Sequence, residues 1–81
     1  MMTLQALKYL LALAKFRHFG RAAKACFVSQ PALSVAIQKL EEQLNVVLFE
    51  RYKSSVALTE TGEKIVAQAK VVMREADLLS Q

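Results

Sequence analysis

Between residues 3 and 16 the apolar side chains Leu4, Leu7, Leu11 and Ala14, with Leu10 and Leu13 beside them, fall three and four positions apart. That spacing keeps them on one wide face and predicts an amphipathic helix buried along one side. A break follows at Arg17, His18 and Phe19, after which Phe19, Ala22, Ala23 and Cys26 repeat the pattern over about two turns. So short a helix is not stable alone. Ala22 and Ala23 are small enough to let another helix approach closely, as a tight helix-turn-helix crossing requires.

Ser29 can cap a third helix by accepting from a free first-turn amide, and Pro31 is tolerated there because first-turn N–H groups lack intrahelical partners. From that start Leu33, Ile37, Leu40 and Leu44 lie within about 60° of one another and form a narrow core stripe. Gln30, Ser34 and Gln38 form a second stripe roughly 90° away. Uncharged hydrogen-bonding groups occupy this flank, where solvated helices usually carry Glu and Lys. Asn45 can take the left-handed conformation that ends a helix. The run "VVLFERYKSSVALT" predicts two short strands around Lys53, Ser54 and Ser55. Thr59 can cap a last helix reaching about Ser80, with Glu60 and Glu63 in its first turn suited to the helix dipole. Along it Ile65, Ala69, Val72, Ala76 and Leu79 alternate spacings of four and three, a short coiled-coil seam. The pattern predicts a mainly α fold, a winged helix-turn-helix of three helices and a short two-stranded wing over residues 1–59. A long linker and dimerisation helix follows over 60–81.

At 81 residues the chain builds one modest core and no cleft between two lobes, so function belongs to its surface. The net charge of +4 sharpens this, because it is unevenly spread. Residues 1–28 hold Lys8, Lys15, Arg17, Arg21 and Lys24 and no acid, whereas residues 29–50 set Lys39 against Glu41, Glu42 and Glu50. A basic, acid-free third points to a polyanionic partner. The single cysteine excludes an internal disulfide and a cysteine metal cluster, and the single histidine leaves no zinc ligand set, so neither metal nor cofactor is expected. Lys8 and Lys15 bracket the longest apolar stretch, well short of the roughly 18 residues of a membrane span, and no signal peptide is evident. A cytoplasmic setting without catalysis fits, since no nucleophile, base and orienting acid stand together. A helical protein-interaction module is the alternative. It accounts for the apolar helices but not for the polar flank or the acid-free segment.

The segments "HFGRAAKACFVSQPALSVAIQKLEEQL", "LFER" and "LTETGE" resemble the N-terminal DNA-binding domain of LysR-type transcriptional regulators, over essentially the whole chain. His18-Phe19-Gly20-Arg21 and Ser34-Val35-Ala36-Ile37 look most like the peroxide-sensing activators of that family. The resemblance implies that the second and third helices form the helix-turn-helix, that helix 29–44 enters the major groove, and that wing 48–59 lies near the minor groove. It also implies a homodimer through the last helix, on double-stranded DNA with an interrupted palindrome. A full-length member continues into a ligand-sensing domain resembling periplasmic binding proteins, so no small-molecule ligand is expected in this fragment.

Carried over position by position, Gln30, Pro31 and Ser34 match the family's groove-contacting motif, and Gln38 lies one turn further on. Gln can pair bidentately with adenine, Pro can lie on a thymine methyl, and Ser can donate to a phosphate or base edge. Val35 departs from many members, which carry an Arg that reaches DNA there, and it offers only an apolar contact. Ser54 likewise stands where some relatives have a minor-groove Arg, which leaves Lys53 as the nearest basic group on the wing. Arg21 and Lys24 are phosphate candidates. Arg51 is open to two readings, a phosphate contact or a pair with Glu50 or another acid. His18 could touch a phosphate but reads first as a partly exposed hinge residue, and Cys26 reads as a small core hydrophobe, since the reactive cysteine of the peroxide-sensing subgroup lies in the sensing domain.

Overall fold

The computed structural model describes residues 2–80. Positions 1 and 81, where the two expected segments begin and end, lie outside them. Four helices and one hairpin follow in the order α1 (Leu4–Phe16), α2 (Phe19–Ala25), α3 (Gln30–Leu44), β1 (Phe49–Arg51), β2 (Val56–Leu58) and α4 (Glu60–Leu79). Helix α1 starts where Thr3 Oγ1 accepts from the Ala6 N–H at 3.1 Å. It rests against α2, α3 and α4 and so forms the centre of the domain. Its buried residues are Leu7, Leu10 and Leu13, whereas Leu4 is 49% exposed and Leu11 and Ala14 are half-buried. The buried face is therefore turned from the expected Leu4-Leu7-Leu11-Ala14 line. Leu occupies both lines, so periodicity alone could not choose between them. The neighbours decide, with Leu11 and Ala14 left lining a shallow groove beside Leu58 and Val66.

Helix α2 is capped by His18, whose Nδ1 accepts from the Arg21 N–H at 3.1 Å. The hinge reading is thus corrected: the imidazole stands in for the usual hydroxyl or carboxylate cap. Ala22 and Ala23 are buried against the core, as the close crossing needs. The helix ends in a Schellman motif, with the Val28 N–H donating to the Ala23 carbonyl at 3.0 Å and Phe27 left-handed at φ 58°. Glycine is the usual residue at such a position. A phenylalanine there bears the strain of its Cβ, and its side chain is 94% exposed. Phe27→Gly should therefore stabilise the fold by about 1 kcal/mol, because it relieves the strain and opens no cavity. Urea unfolding checks this, and a loss of stability would show that the ring has a partner within the fold.

Ser29 caps α3 by accepting from the Ala32 N–H at 3.2 Å, with Pro31 in the first turn. Leu33, Ile37 and Leu40 are buried and Leu44 is half-buried. At the far end Asn45 is left-handed at φ 54°, and the Val46 N–H closes on the Glu41 carbonyl at 3.1 Å. Strands β1 and β2 pair antiparallel in the register Phe49–Leu58, Glu50–Ala57, Arg51–Val56. Phe49 and Val56 bury the hairpin's inner face, and the Val56 N–H donates to the Arg17 carbonyl at 3.0 Å, which ties the wing to the turn between α1 and α2.

Thr59 caps α4 by accepting from the Gly62 N–H at 2.9 Å. Gly62, Val66 and Ala69 are buried, with Ile65 and Met73 half-buried against the same core. Ala69, expected in a free seam, is only 3% exposed and belongs to the core of its own domain. Val72 and Leu79 are exposed on a flank rotated about 60–80° from it, with the half-buried Ala76 between. The four-three pattern thus serves two surfaces: Ile65 and Ala69 pack into the domain's own core, and Val72 and Leu79 face outward.

Candidate nucleic-acid interface

The third helix divides as its two stripes imply. While Leu33, Ile37 and Leu40 turn inward, Gln30, Pro31, Val35 and Gln38 are exposed and Ser34 is half-buried. Gln30, Pro31 and Ser34 share one shallow depression with Phe19 and Arg51. An adjoining depression joins His18, Phe19, Gly20 and Gln30 to the wing residues from Arg51 to Val56, including Lys53. The start of α2, the start of α3 and the wing therefore form one continuous concave surface. Gln38 is not part of it. That residue lines a separate depression at the end of α3 with Glu41, Glu42, Asn45, Val46 and Val47, where the acids make the surroundings far less favourable to a polyanion.

Arg51 does not form the pair with Glu50 that the sequence left open. Its guanidinium lies over the Phe19 ring, 4.6 Å from the centroid, as a cation–π stack. Glu50 instead accepts from the Tyr52 hydroxyl at 2.9 Å, and that hydrogen bond, together with the carboxylate's charge, pushes the Tyr52 pKa up from its ordinary value. The stack places Arg51 beside Gln30 and Pro31, in the same depression. The sequence offered no signal for this pairing, because residues 19 and 51 meet only through the tertiary fold. Arg21 and Lys24 are exposed on α2, and Lys53 is exposed at the tip of the hairpin. Among the described residues no polar or charged side chain is buried, so all the charge stands at the surface.

The family model for bacterial regulatory helix-turn-helix proteins of the LysR family matches residues 4–63, which include every element of this surface. The chain belongs to the LysR family. It is 46% identical over 80 residues to a hydrogen peroxide-inducible genes activator of Haemophilus influenzae, covering 99% of this chain and 27% of that protein. It is 49% identical over 80 residues to the DNA-binding transcriptional dual regulator OxyR of Escherichia coli, covering 99% and 26%. The chain thus spans about a quarter of the length of the curated relatives it matches. Among solved structures, a full-length OxyR variant from Pseudomonas aeruginosa superposes with a TM-score of 0.94 at 54% identity, covering 99% of this chain and 27% of that one. A complex of the CbnR DNA-binding domain with DNA gives a TM-score of 0.94 at 34% identity, covering 98% and 91%. The fold is that of LysR-family DNA-binding domains, mainly α with a two-stranded wing.

In this LysR-family domain Cys26 is not the core residue expected from its helical face. It follows the last turn of α2 and is half-buried at the edge of the core. Burial pushes its thiol pKa up, opposed more weakly by the charge of Lys8, so the protonated, unreactive form is favoured at neutral pH. No helix among the described residues is long and apolar enough to cross a membrane.

Proposed function

We propose that the chain is the operator-recognition domain of a bacterial transcriptional regulator, with a winged helix-turn-helix over 1–59 and a linker and dimerisation helix over 60–81. It binds double-stranded DNA as a homodimer, in the cytoplasm, at an interrupted palindrome. The observation that carries this reading is the continuous concave surface formed by the polar flank of α3, the start of α2 and the wing. Helix α3 with its side chains is about 10–12 Å thick, close to the width of the major groove. Binding is stoichiometric. Arg21, Lys24 and Lys53 hold phosphates and fix the domain's position, while Gln30 pairs with a base edge. Pro31 and Val35 offer apolar contact to thymine methyls, and Ser34 donates to a phosphate or base. Arg51, steadied by Phe19, presents its N–H edge to the backbone between groove and wing. Gln38 is a peripheral contact at most, given the acids around it. Val72, Ala76 and Leu79 supply the dimer contact, with Ile65 and Ala69 backing them from the core.

Selection of binders from random duplexes should enrich an interrupted palindrome. Absence of any enriched motif would favour a protein-interaction module instead. Arg21→Ala should weaken binding to all duplexes alike and flatten the dependence of log affinity on log salt by about one unit. Anisotropy titrations at several salt concentrations check it. A loss confined to the selected motif would make Arg21 a base-reading residue.

A further inference from the structure

Helix α3 and the start of α4 converge on two residues of the crossing between α3 and β1. The Leu48 N–H donates to Glu41 Oε2, on α3, at 2.7 Å. One residue away, the Val47 carbonyl accepts from the Thr59 hydroxyl at 2.7 Å. The Leu48 carbonyl accepts from the Thr59 N–H at 3.0 Å, and the Thr59 hydroxyl oxygen in turn accepts from the Gly62 N–H at 2.9 Å, inside α4. Leu48 itself is fully buried, so the segment cannot slide. Gly62 seats the α4 backbone directly against the Leu48 carbonyl, leaving no room for a side chain.

Capping α4 needs only the bond from Gly62 to Thr59. The hydroxyl proton spent on Val47, and the Glu41 carboxylate reaching seven residues along the chain to Leu48, serve something else. Both bonds run to the same short segment, one from α3 and one from the residue that caps α4. The carboxylate bond is charge-assisted and part-buried, the setting in which such bonds are short and strong. Together they form a bracket between α3 and α4.

We propose that Glu41 and Thr59 are positioning residues that fix the angle between α3 and α4, and through it the half-site spacing that the dimer accepts. The proposal rests on the reading above, in which α3 enters the groove and α4 joins two copies. The lever is long. Helix α4 has 20 residues and so spans about 30 Å, and a tilt of about 10° at the bracket displaces its far end by about 5 Å. One base pair rises about 3.4 Å, so a few degrees of freedom at Thr59 blur the choice between neighbouring spacings.

The test uses duplexes bearing identical half-sites separated by spacers that differ by one base pair, together with a duplex bearing a single half-site. The parent should prefer one spacer at least about tenfold, and Thr59→Ser, which keeps both side-chain bonds, should match it. Thr59→Val keeps the shape and loses both bonds. Its spacer preference should fall to about threefold or less, while its single-half-site affinity stays within about twofold of the parent. A preference retained by Thr59→Val, or a loss of single-half-site affinity as large as the loss on the full site, would overturn the proposal. Should circular dichroism show Thr59→Val unfolded, Glu41→Gln makes the same measurement, because its neutral amide oxygen is a weaker acceptor. An unchanged preference there counts against the bracket as well.

A parent that binds none of the duplexes refutes the DNA-binding reading and is distinguishable from failure of the bracket. The angle is then read on the free protein, by pulsed spin-label distances between Lys39→Cys on α3 and Glu75→Cys on α4. The labels are introduced in a Cys26→Ser background, and labelled protein is diluted with unlabelled. The distribution should be narrow in the parent and Thr59→Ser and broad in Thr59→Val. Equal widths would overturn the proposal.

Discussion

Gly62→Ala is expected to lower the unfolding free energy by about 3 kcal/mol, the upper end of the range for overpacking a core. Helix propensity alone argues the other way, since alanine is favoured over glycine inside a helix by about 1 kcal/mol. Geometry outweighs propensity here. Gly62 is not at positive φ, so the backbone needs no glycine for its conformation. A Cβ there would strike the Leu48 carbonyl oxygen and crowd both the carbonyl carbon and Leu58 Cδ2 at 3.1 Å. A side-chain tip could swing aside, but this oxygen belongs to a fully buried residue and already accepts from the Thr59 N–H. Relief therefore has to come from lifting the first turn of α4 off the crossing. The sign of the change in urea unfolding decides the matter, and a stabilised Gly62→Ala protein would mean that α4 is loosely seated.

Leu40→Ala should cost about 2–5 kcal/mol of stability, because Leu40 is 1% exposed and its loss leaves a cavity among Leu33, Ile37 and the residues of α1. The matched change on the other stripe is Gln30→Ala. Its side chain is exposed, so folding should change by no more than about 0.5 kcal/mol, whereas specific DNA binding should weaken by about 1–3 kcal/mol. Thermal melts and anisotropy on both proteins separate the two effects. Equal destabilisation by the two substitutions would remove the distinction between a packing stripe and a reading stripe on α3.

Most of what was legible in the sequence is local. Ser29, Asn45 and Thr59 end or begin helices through bonds to residues three to five positions away, and such chemistry is written in neighbouring letters. The two stripes of α3 follow from a 3.6-residue period acting on clearly different residue types. Ambiguity arose where residue types did not differ, as along α1, whose leucines occupy adjacent lines, or where a residue stood outside the usual repertoire, as with His18 at the cap of α2. The burial of Ala69 within its own domain, the Arg51 stack on Phe19 and the grip of Glu41 on Leu48 depend on which elements come to lie side by side. No period or propensity records that. The concave surface was legible in its Gln30-Pro31-Ser34 half, while its union with the wing needed the fold.

The crossing at Val47 and Leu48 also bears on how fast the chain folds. Its bonds close loops of 7, 11 and 12 residues, so α3, the hairpin and the first turn of α4 are joined without any distant segment having to be found first. Loops of about ten residues close in roughly 10–100 ns, and their closure entropy is small beside that of a sheet assembled from remote strands. A nucleus built at this crossing would let α1 dock last, onto a surface already ordered. Refolding would then be rapid, and the substitutions that slow it would cluster at Glu41, Leu48 and Thr59, whereas those in α1 would mainly hasten unfolding.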